Sequence, residues 1–354
     1  MLLQGIFPPI TTPFYADGSV YFKKLEHNVD RYSRTPIAGI VVQGSTGEAI
    51  MLSDQEKRDV LRVAREVAAP SKVLVAGVGV ESAIETIKLA EYAAELGYDA
   101  AMVRTPHYYK MAMTKAAMLT FYRTVADRSP LPLIIYNFPQ ATGYDIPVDV
   151  VVDLASHSNI LSIKESAGNV EKVKALVEGT RHVKRSAQVT EAFEAVTGRM
   201  LKDAQNAVSV GELVSVSSLG GTAMPSSSAV QMVGSLKTRQ KEVGFQVMVG
   251  AAHQLLESLE AGAVGAILAF ADPAPTACFE VYQAWRERAH EIAREKQDRI
   301  AAAAKRVVGQ LSVPGLKHAL DLNGYYGGPA RLPLLPLTAD EKREVEQLMA
   351  NIRN

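Results

Sequence analysis

The chain has 354 residues, 47% of them hydrophobic, and its 38 basic side chains balance its 38 acidic ones. That length buries one large core or two smaller ones, and the balanced charge argues against nucleic acid or an anionic membrane as partner. No segment approaches the roughly 20 uninterrupted apolar residues of a membrane span. The N-terminus lacks the basic flank and long apolar run of a signal peptide. A single cysteine, Cys278, fits a reducing, cytoplasmic compartment. The seven histidines are scattered, with no pair at helical ligand spacing, so no metal centre is expected.

Taken in chain order, short apolar or β-branched runs occur at 5–12, 39–44, 72–78, 99–105, 131–137, 160–166, 245–250 and 263–270. Amphipathic stretches lie between them. Ser53 with Glu56 reads as a capping box opening a helix over 54–69, and Ser82 with Glu85 as another opening 83–97. Thr114 and Pro147 mark the next two helix starts. Continuous apolar strands alternating with helices predict a parallel sheet covered by helices, and eight such units predict a closed (β/α)8 barrel over 1–272. An insertion at about 183–242 interrupts the barrel before the seventh strand. Its Ser-, Val- and Gly-rich part, 207–228, fits a hairpin or a surface loop. Because it follows a helix and precedes a strand, it belongs at the N-terminal face, away from chemistry, where an assembly role is expected. The remainder, 273–354, reads as a C-terminal helical segment with helices over 274–309, 313–322 and 339–352.

Reacting groups in such a barrel come from the C-terminal ends of strands. The second run ends in Gly44-Ser45-Thr46-Gly47-Glu48, where two glycines let the backbone approach a ligand and the hydroxyls and amides can bind a carboxylate. The fifth ends in Tyr136-Asn137-Phe138-Pro139; a tyrosine there is either a proton relay or packing. The sixth, Leu161-Ser162-Ile163-Lys164-Glu165-Ser166, ends in a lysine that either snorkels to water or is present for its amine. An ordinary lysine pKa of about 10.4 leaves roughly one molecule in a few thousand deprotonated at pH 7, and bringing it to about 7 takes roughly 4–5 kcal/mol, which burial can supply. Side chains alternate along a strand, so an inward Lys164 places Ser162 and Ser166 on its own face and turns Ile163 and Glu165 toward the helices. Together these groups are what is needed to bind an α-keto acid, form an imine with it and move protons. The imine itself is the electron sink, so no cofactor is required.

These motifs, PPITTPF at 8–14, GSTGE at 44–48, TPHYY at 105–109, YNFP at 136–139 and IKES at 163–166, resemble the dihydrodipicolinate synthase / N-acetylneuraminate lyase family of class I, pyruvate-dependent aldolases. The resemblance covers most of 5–180 and 243–350. The segments at 142–160 and 313–334 are similar to the 4-hydroxy-2-oxoglutarate aldolase branch. The resemblance implies that Lys164 forms a Schiff base with pyruvate and that Tyr136 donates and accepts protons. It implies that the Ser45 and Thr46 amides, with Gly47, hold the carboxylate, and that the Thr46 hydroxyl links Tyr136 to Tyr108, which reaches across a tight dimer interface. Ser166 would meet the distal part of the substrate. A homodimer or homotetramer follows by family habit. Two departures stand out. The synthases proper carry an arginine two residues after the YNVP-type proline, where this chain has Ala141. Arg104, unusual at its strand end, either faces a distal carboxylate or pairs with a neighbouring helix.

The implied activity is carbon–carbon bond cleavage or formation between pyruvate and an aldehyde, with 4-hydroxy-2-oxoglutarate or a 2-keto-3-deoxy sugar acid as substrate. Alternatives are dihydrodipicolinate synthase, a deoxy-keto sugar acid dehydratase, and a catalytically silent barrel.

Overall fold

The computed structural model describes residues 1–209 and 231–352. Eight parallel strands form one sheet: β1 (Gly5–Phe7), β2 (Gly39–Val42), β3 (Val73–Gly77), β4 (Ala100–Arg104), β5 (Leu133–Asn137) and β6 (Ile160–Glu165) precede the insertion. The insertion contributes β7 (Ser186–Thr190), β8 (Gln231–Val233) and β9 (Leu236–Glu242), and the barrel resumes with β10 (Gln246–Val249) and β11 (Gly265–Ile267). The order β1-β11-β10-β6-β5-β4-β3-β2 curls back on itself. The seam between β1 and β2 is held by a parallel bridge from Pro9 to Val41 and by the Ala38 amide donating to Ile6 O. Each of the eight apolar runs is therefore a barrel strand.

Alternation sorts the side chains into two apolar regions. One fills the barrel interior and includes Phe7, Val41, Val75, Met102, Ile134, Tyr136 and Met248. The other lies between strands and helices and runs without a break from Ile6 to Ile352, so the C-terminal helices share the barrel's core. The helix Pro275–Arg286 packs on β1 and takes the place of the barrel's eighth helix. The single helix expected over 274–309 is two, Pro275–Arg286 and His290–Val307, broken where Arg288 adopts φ 60°.

Capping follows the sequence at Ser53, which forms a full capping box with Glu56, and at Thr114, whose side chain accepts from the Ala117 amide. Ser82 precedes its helix in extended backbone but makes no side-chain cap, so no capping box forms there.

Part of the expected hairpin or loop, 210–230, lies outside the described residues. The rest of the insertion is an antiparallel sheet, β7-β9-β8, and a helix, Gly198–Ser209. It docks on the N-terminal end of the barrel. Arg199 donates to the carbonyls of Ala68, Ala69 and Lys72 just before β3 and pairs with Asp99 before β4, while Arg185 donates to the carbonyls of Ala155 and His157 before β6 and of Ile160 at its first residue. Val189 and Ala187 pack on Leu2. The described part of the insertion thus lies on the face opposite the C-terminal ends of the barrel strands. Among the described residues no helix is long and apolar enough to cross a membrane.

Candidate active site

Three neighbouring strand ends build the site. β5 and β6 pair in parallel with Tyr136 opposite Lys164, and β10 places Met248 on the lysine's other side. Lys164 points inward and is only 4% exposed. Its Nζ stands 4.1 Å from the centroid of the Tyr136 ring. Burial pulls the Lys164 pKa down from 10.5 to about 7, with the buried Asp272 carboxyl acting against that shift. The reading of Lys164 as a solvent-seeking lysine therefore fails; a large part of its amine is the neutral nucleophile near pH 7.

Burial pushes the Tyr136 phenol the other way, up to about 12, moderated by Ser45, Arg104 and Ser166. The phenol stays protonated and is a hydrogen-bond and proton donor at neutral pH. Its oxygen lies 3.3 Å from Ser45 Oγ. The hydroxyl beside Tyr136 is thus that of Ser45, whereas Thr46 was expected. Thr46 is partly exposed and lines the same cavity.

The Gly44–Glu48 segment, where a carboxylate-binding turn is expected, is closed by its own backbone. Gly47 N donates to Gly44 O at 3.0 Å and Glu48 N to Ser45 O at 3.1 Å, which closes the turn. Gly47 therefore spends its amide inside the turn. A Cβ at Gly47 would meet Ile10 O at 2.9 Å, so its part is close packing. Among the described residues, neither the Ser45 nor the Thr46 amide donates to another backbone carbonyl, which leaves both available to a carboxylate. Glu48, at φ 54°, is sealed beneath the turn and pairs with Lys317 Nζ at 2.6 Å.

Glu165 faces outward from the barrel, as the alternation requires. It accepts from Asn137 Nδ2 at 2.8 Å and from the Ala167 amide at 2.7 Å, and pairs with Lys172 at 3.2 Å. It fastens the loops after β5 and β6 and does not reach the reacting centre.

Above Lys164 opens a cavity of about 350 Å³, reached by Ser45, Thr46, Tyr136, Lys164 and Ser166. Ser166 Oγ is buried and makes no well-formed hydrogen bond among the described residues. The far wall comes from residues that no strand-end motif marks: His253 after β10, Phe270 after β11, and Val308, Ser312 and Leu316 from the C-terminal helices. A second cavity of about 280 Å³ shares Ser45 and Tyr136 with the first and contains Arg104. Arg104 pairs with Glu81 at 3.0 Å and contacts His107 Nδ1 at 2.6 Å. Its partner lies in the loop after β3, not on a helix. Burial raises the Glu81 carboxyl, but amides of Tyr108 and His107 together with Arg104 bring it below the ordinary value.

Tyr108 is 77% exposed, and among the described residues its amide donates to Glu81 while Tyr136 meets Ser45. Its ring meets that of Tyr109 edge-on at 5.2 Å between centroids, and Tyr109 and Met111 are exposed as well.

Comparison with known proteins agrees with this architecture. The model of the dihydrodipicolinate synthetase family matches residues 2–186 and 193–352. The 4-hydroxy-tetrahydrodipicolinate synthase of Methanothrix thermoacetophila is 27% identical over 99% of this chain and 97% of that protein. A protein of Emericella nidulans described as "Probable 4-hydroxy-2-oxoglutarate aldolase, mitochondrial" is 38% identical, but over 50% of this chain and 59% of its own length. Among solved structures, the chloride-inhibited dihydrodipicolinate synthase of Acinetobacter baumannii, determined with pyruvate, superposes with a TM-score of 0.77 at 27% identity over 99% of both chains. A Bacillus anthracis dihydrodipicolinate synthase superposes with a TM-score of 0.79 at 23% identity over the full length of both, which bears on the fold alone.

Proposed function

Because the chain belongs to the dihydrodipicolinate synthetase family, we propose that it is a pyruvate-dependent class I aldolase whose Schiff base forms on Lys164. The observation that carries this reading is the buried Lys164 amine, its pKa brought down to about 7, beside a protonated phenol. Pyruvate's carboxylate lies against the Ser45 and Thr46 amides, and the neutral Lys164 amine attacks the C2 carbonyl. Tyr136 supplies the proton with which the carbinolamine oxygen leaves as water, giving the iminium. In the cleavage direction the same iminium forms at C2 of a 4-hydroxy-2-oxo acid; the Tyr136 oxygen that gave its proton to the departing water takes the C4 hydroxyl proton, the C3–C4 bond breaks, and its electron pair passes into the iminium to give an enamine. The aldehyde departs, C3 takes a proton, and water releases pyruvate from Lys164.

The A. baumannii protein, with 27% identity over nearly the whole chain, was solved with pyruvate, which supports this half of the assignment. Ala141 weighs against the synthase reaction with aspartate semialdehyde, since that side chain offers no charge to a second carboxylate. Tyr108 and its neighbours Tyr109 and Met111 suit contact with a second copy of the chain, which would carry Tyr108 into the adjoining subunit.

Borohydride reduction in the presence of pyruvate, followed by peptide mass analysis, tests the assignment. A stable adduct on Lys164 is expected. Folded protein without an adduct would return the catalytically silent barrel.

A further inference from the structure

Granted the imine on Lys164, the cavity also bears on what the pyruvate is joined to. Its outer part runs from Ser166 to the C-terminal helices. Phe138, Phe270, Val308, Val313 and Leu316 are its large apolar side chains, and Gln140, His253 and Ser312 are its polar points. Among the described residues lining it, Lys164 is the only ammonium or guanidinium, and the imine consumes it. His253 is held below its ordinary pKa by burial and then by Lys305, so it is neutral near pH 7.

Among the described residues, the cations nearest this wall are committed or lie in water; Lys57, which lines the adjoining cavity, pairs with Asp54 at 3.2 Å. Arg104 pairs with Glu81 in the adjoining cavity. Lys317 is sealed against Glu48, and Lys172 is held by Glu165 and Asp145. Lys305 is exposed behind His253. A second carboxylate on the aldehyde fragment would lose its water here and gain no counter-charge, whereas an apolar fragment would gain by the same burial.

We propose that the aldehyde partner of this enzyme is uncharged and predominantly apolar, an aliphatic or aromatic aldehyde, and that fragments carrying a second carboxylate are rejected by the outer wall. In the joining direction the enamine C3 attacks the aldehyde carbon and the C3–C4 bond forms. The carbonyl π pair moves to oxygen, which takes the Tyr136 proton, and water hydrolyses the resulting iminium to release a 4-hydroxy-2-oxo acid and the free Lys164 amine. Ser166 Oγ, buried among the residues that line the cavity, is the hydroxyl we assign to hydrogen-bond that new hydroxyl.

The test compares benzaldehyde, glyceraldehyde and glyoxylate as acceptors for pyruvate with the full chain, measuring kcat/KM for product formation, alongside borohydride trapping with pyruvate alone. Benzaldehyde is expected to exceed glyoxylate at least tenfold and glyceraldehyde to fall below benzaldehyde. Val313→Lys, which adds an ammonium to the wall, is expected to move the benzaldehyde-to-glyoxylate ratio at least tenfold toward glyoxylate. With trapping intact, a preference for glyoxylate or glyceraldehyde overturns this inference alone, as does an unmoved ratio in a folded Val313→Lys protein. Efficient use of glyoxylate that disappears in Lys305→Gln also overturns it, by showing that the rim lysine supplies the charge. Absence of any pyruvate adduct on folded protein removes the imine reading as well.

Discussion

Lys164 Nζ faces the ring of Tyr136 at 4.1 Å from its centroid, and the two residues sit opposite each other in the β5–β6 ladder. The same burial moves their proton affinities apart, the amine down to about 7 and the phenol up to about 12. That separation suits the proposed roles, a neutral amine to attack and a protonated phenol to donate at the same pH. Lys164→Ala is expected to abolish pyruvate trapping. Tyr136→Phe should leave trapping detectable but slowed by roughly 10²–10⁴-fold, the usual weight of a positioned acid–base group. Rates equal to wild type in both variants would refute the two roles.

The rate of imine formation should follow the free amine. Below pH 7 it is expected to fall about tenfold per unit, because the protonated fraction of Lys164 grows by that factor. Asp272 favours the charged form of Lys164, so Asp272→Asn should move this acidic limb to lower pH. A limb that stays near pH 10 in trapping experiments would show that burial does not neutralise the amine.

The same group makes a stability prediction. The folded Lys164 pKa, about 7, lies below its ordinary 10.5, so between these values the unfolded chain binds more protons and stability rises with pH. The penalty is complete below pH 7 and gone above 10.5. At pH 7 it amounts to about 4–5 kcal/mol as an upper figure for a fully buried amine. Lys164→Met, which keeps the volume without the charge, is expected to be inactive yet to raise Tm at pH 7, with a smaller gain at pH 10. A lowered Tm at pH 7 would contradict this.

Gly250 offers a way to disturb the outer region without touching Lys164. A Cβ there would press on Ser166, coming within 2.8 Å of its Cβ and closer still to Oγ. Gly250→Ala is expected to reduce kcat/KM for the aldehyde by roughly ten- to a hundredfold, the effect of overpacking by one methyl, while pyruvate trapping survives. Equal loss of both would mean that the whole strand end has shifted.

Lys317 and Glu48 are 1% and 0% exposed and form a closed ion pair. The lysine also donates to Thr12 O at 2.9 Å and Pro329 O at 2.7 Å. Lys317→Met, leaving Glu48 buried alone, is expected to cost about 3–5 kcal/mol in denaturant unfolding, and the double variant with Glu48→Gln distinctly less. Additive losses would show that the pair does not act as one unit.

The barrel and its reacting centre are legible in the chain because both depend on local pattern. Strand alternation turns Lys164 inward and Glu165 outward, and the fixed offset between strand and loop puts Ser45 and Tyr136 at the same end. The outer wall is not legible in this way. Val308, Ser312 and Leu316 reach the cavity only because the C-terminal helices fold back over the barrel mouth, and His253 enters through a short turn after β10. No spacing in the sequence announces such contacts. The choice between the Ser45 and Thr46 hydroxyls also depends on the turn's geometry, which adjacent residues of the same type leave open. Gly250, by contrast, ends a predicted strand and could have been read as a point of close approach.

The β7–β9 sheet and the helix beside it are clamped by Arg185 and Arg199 to the end of the barrel remote from Lys164. A tag or immobilising linker joined to this flap would leave the entrance facing the medium. Molecules fixed to a bead in that way would all present the same side to incoming reagents, and crowding on the support would slow diffusion to the barrel without blocking its opening.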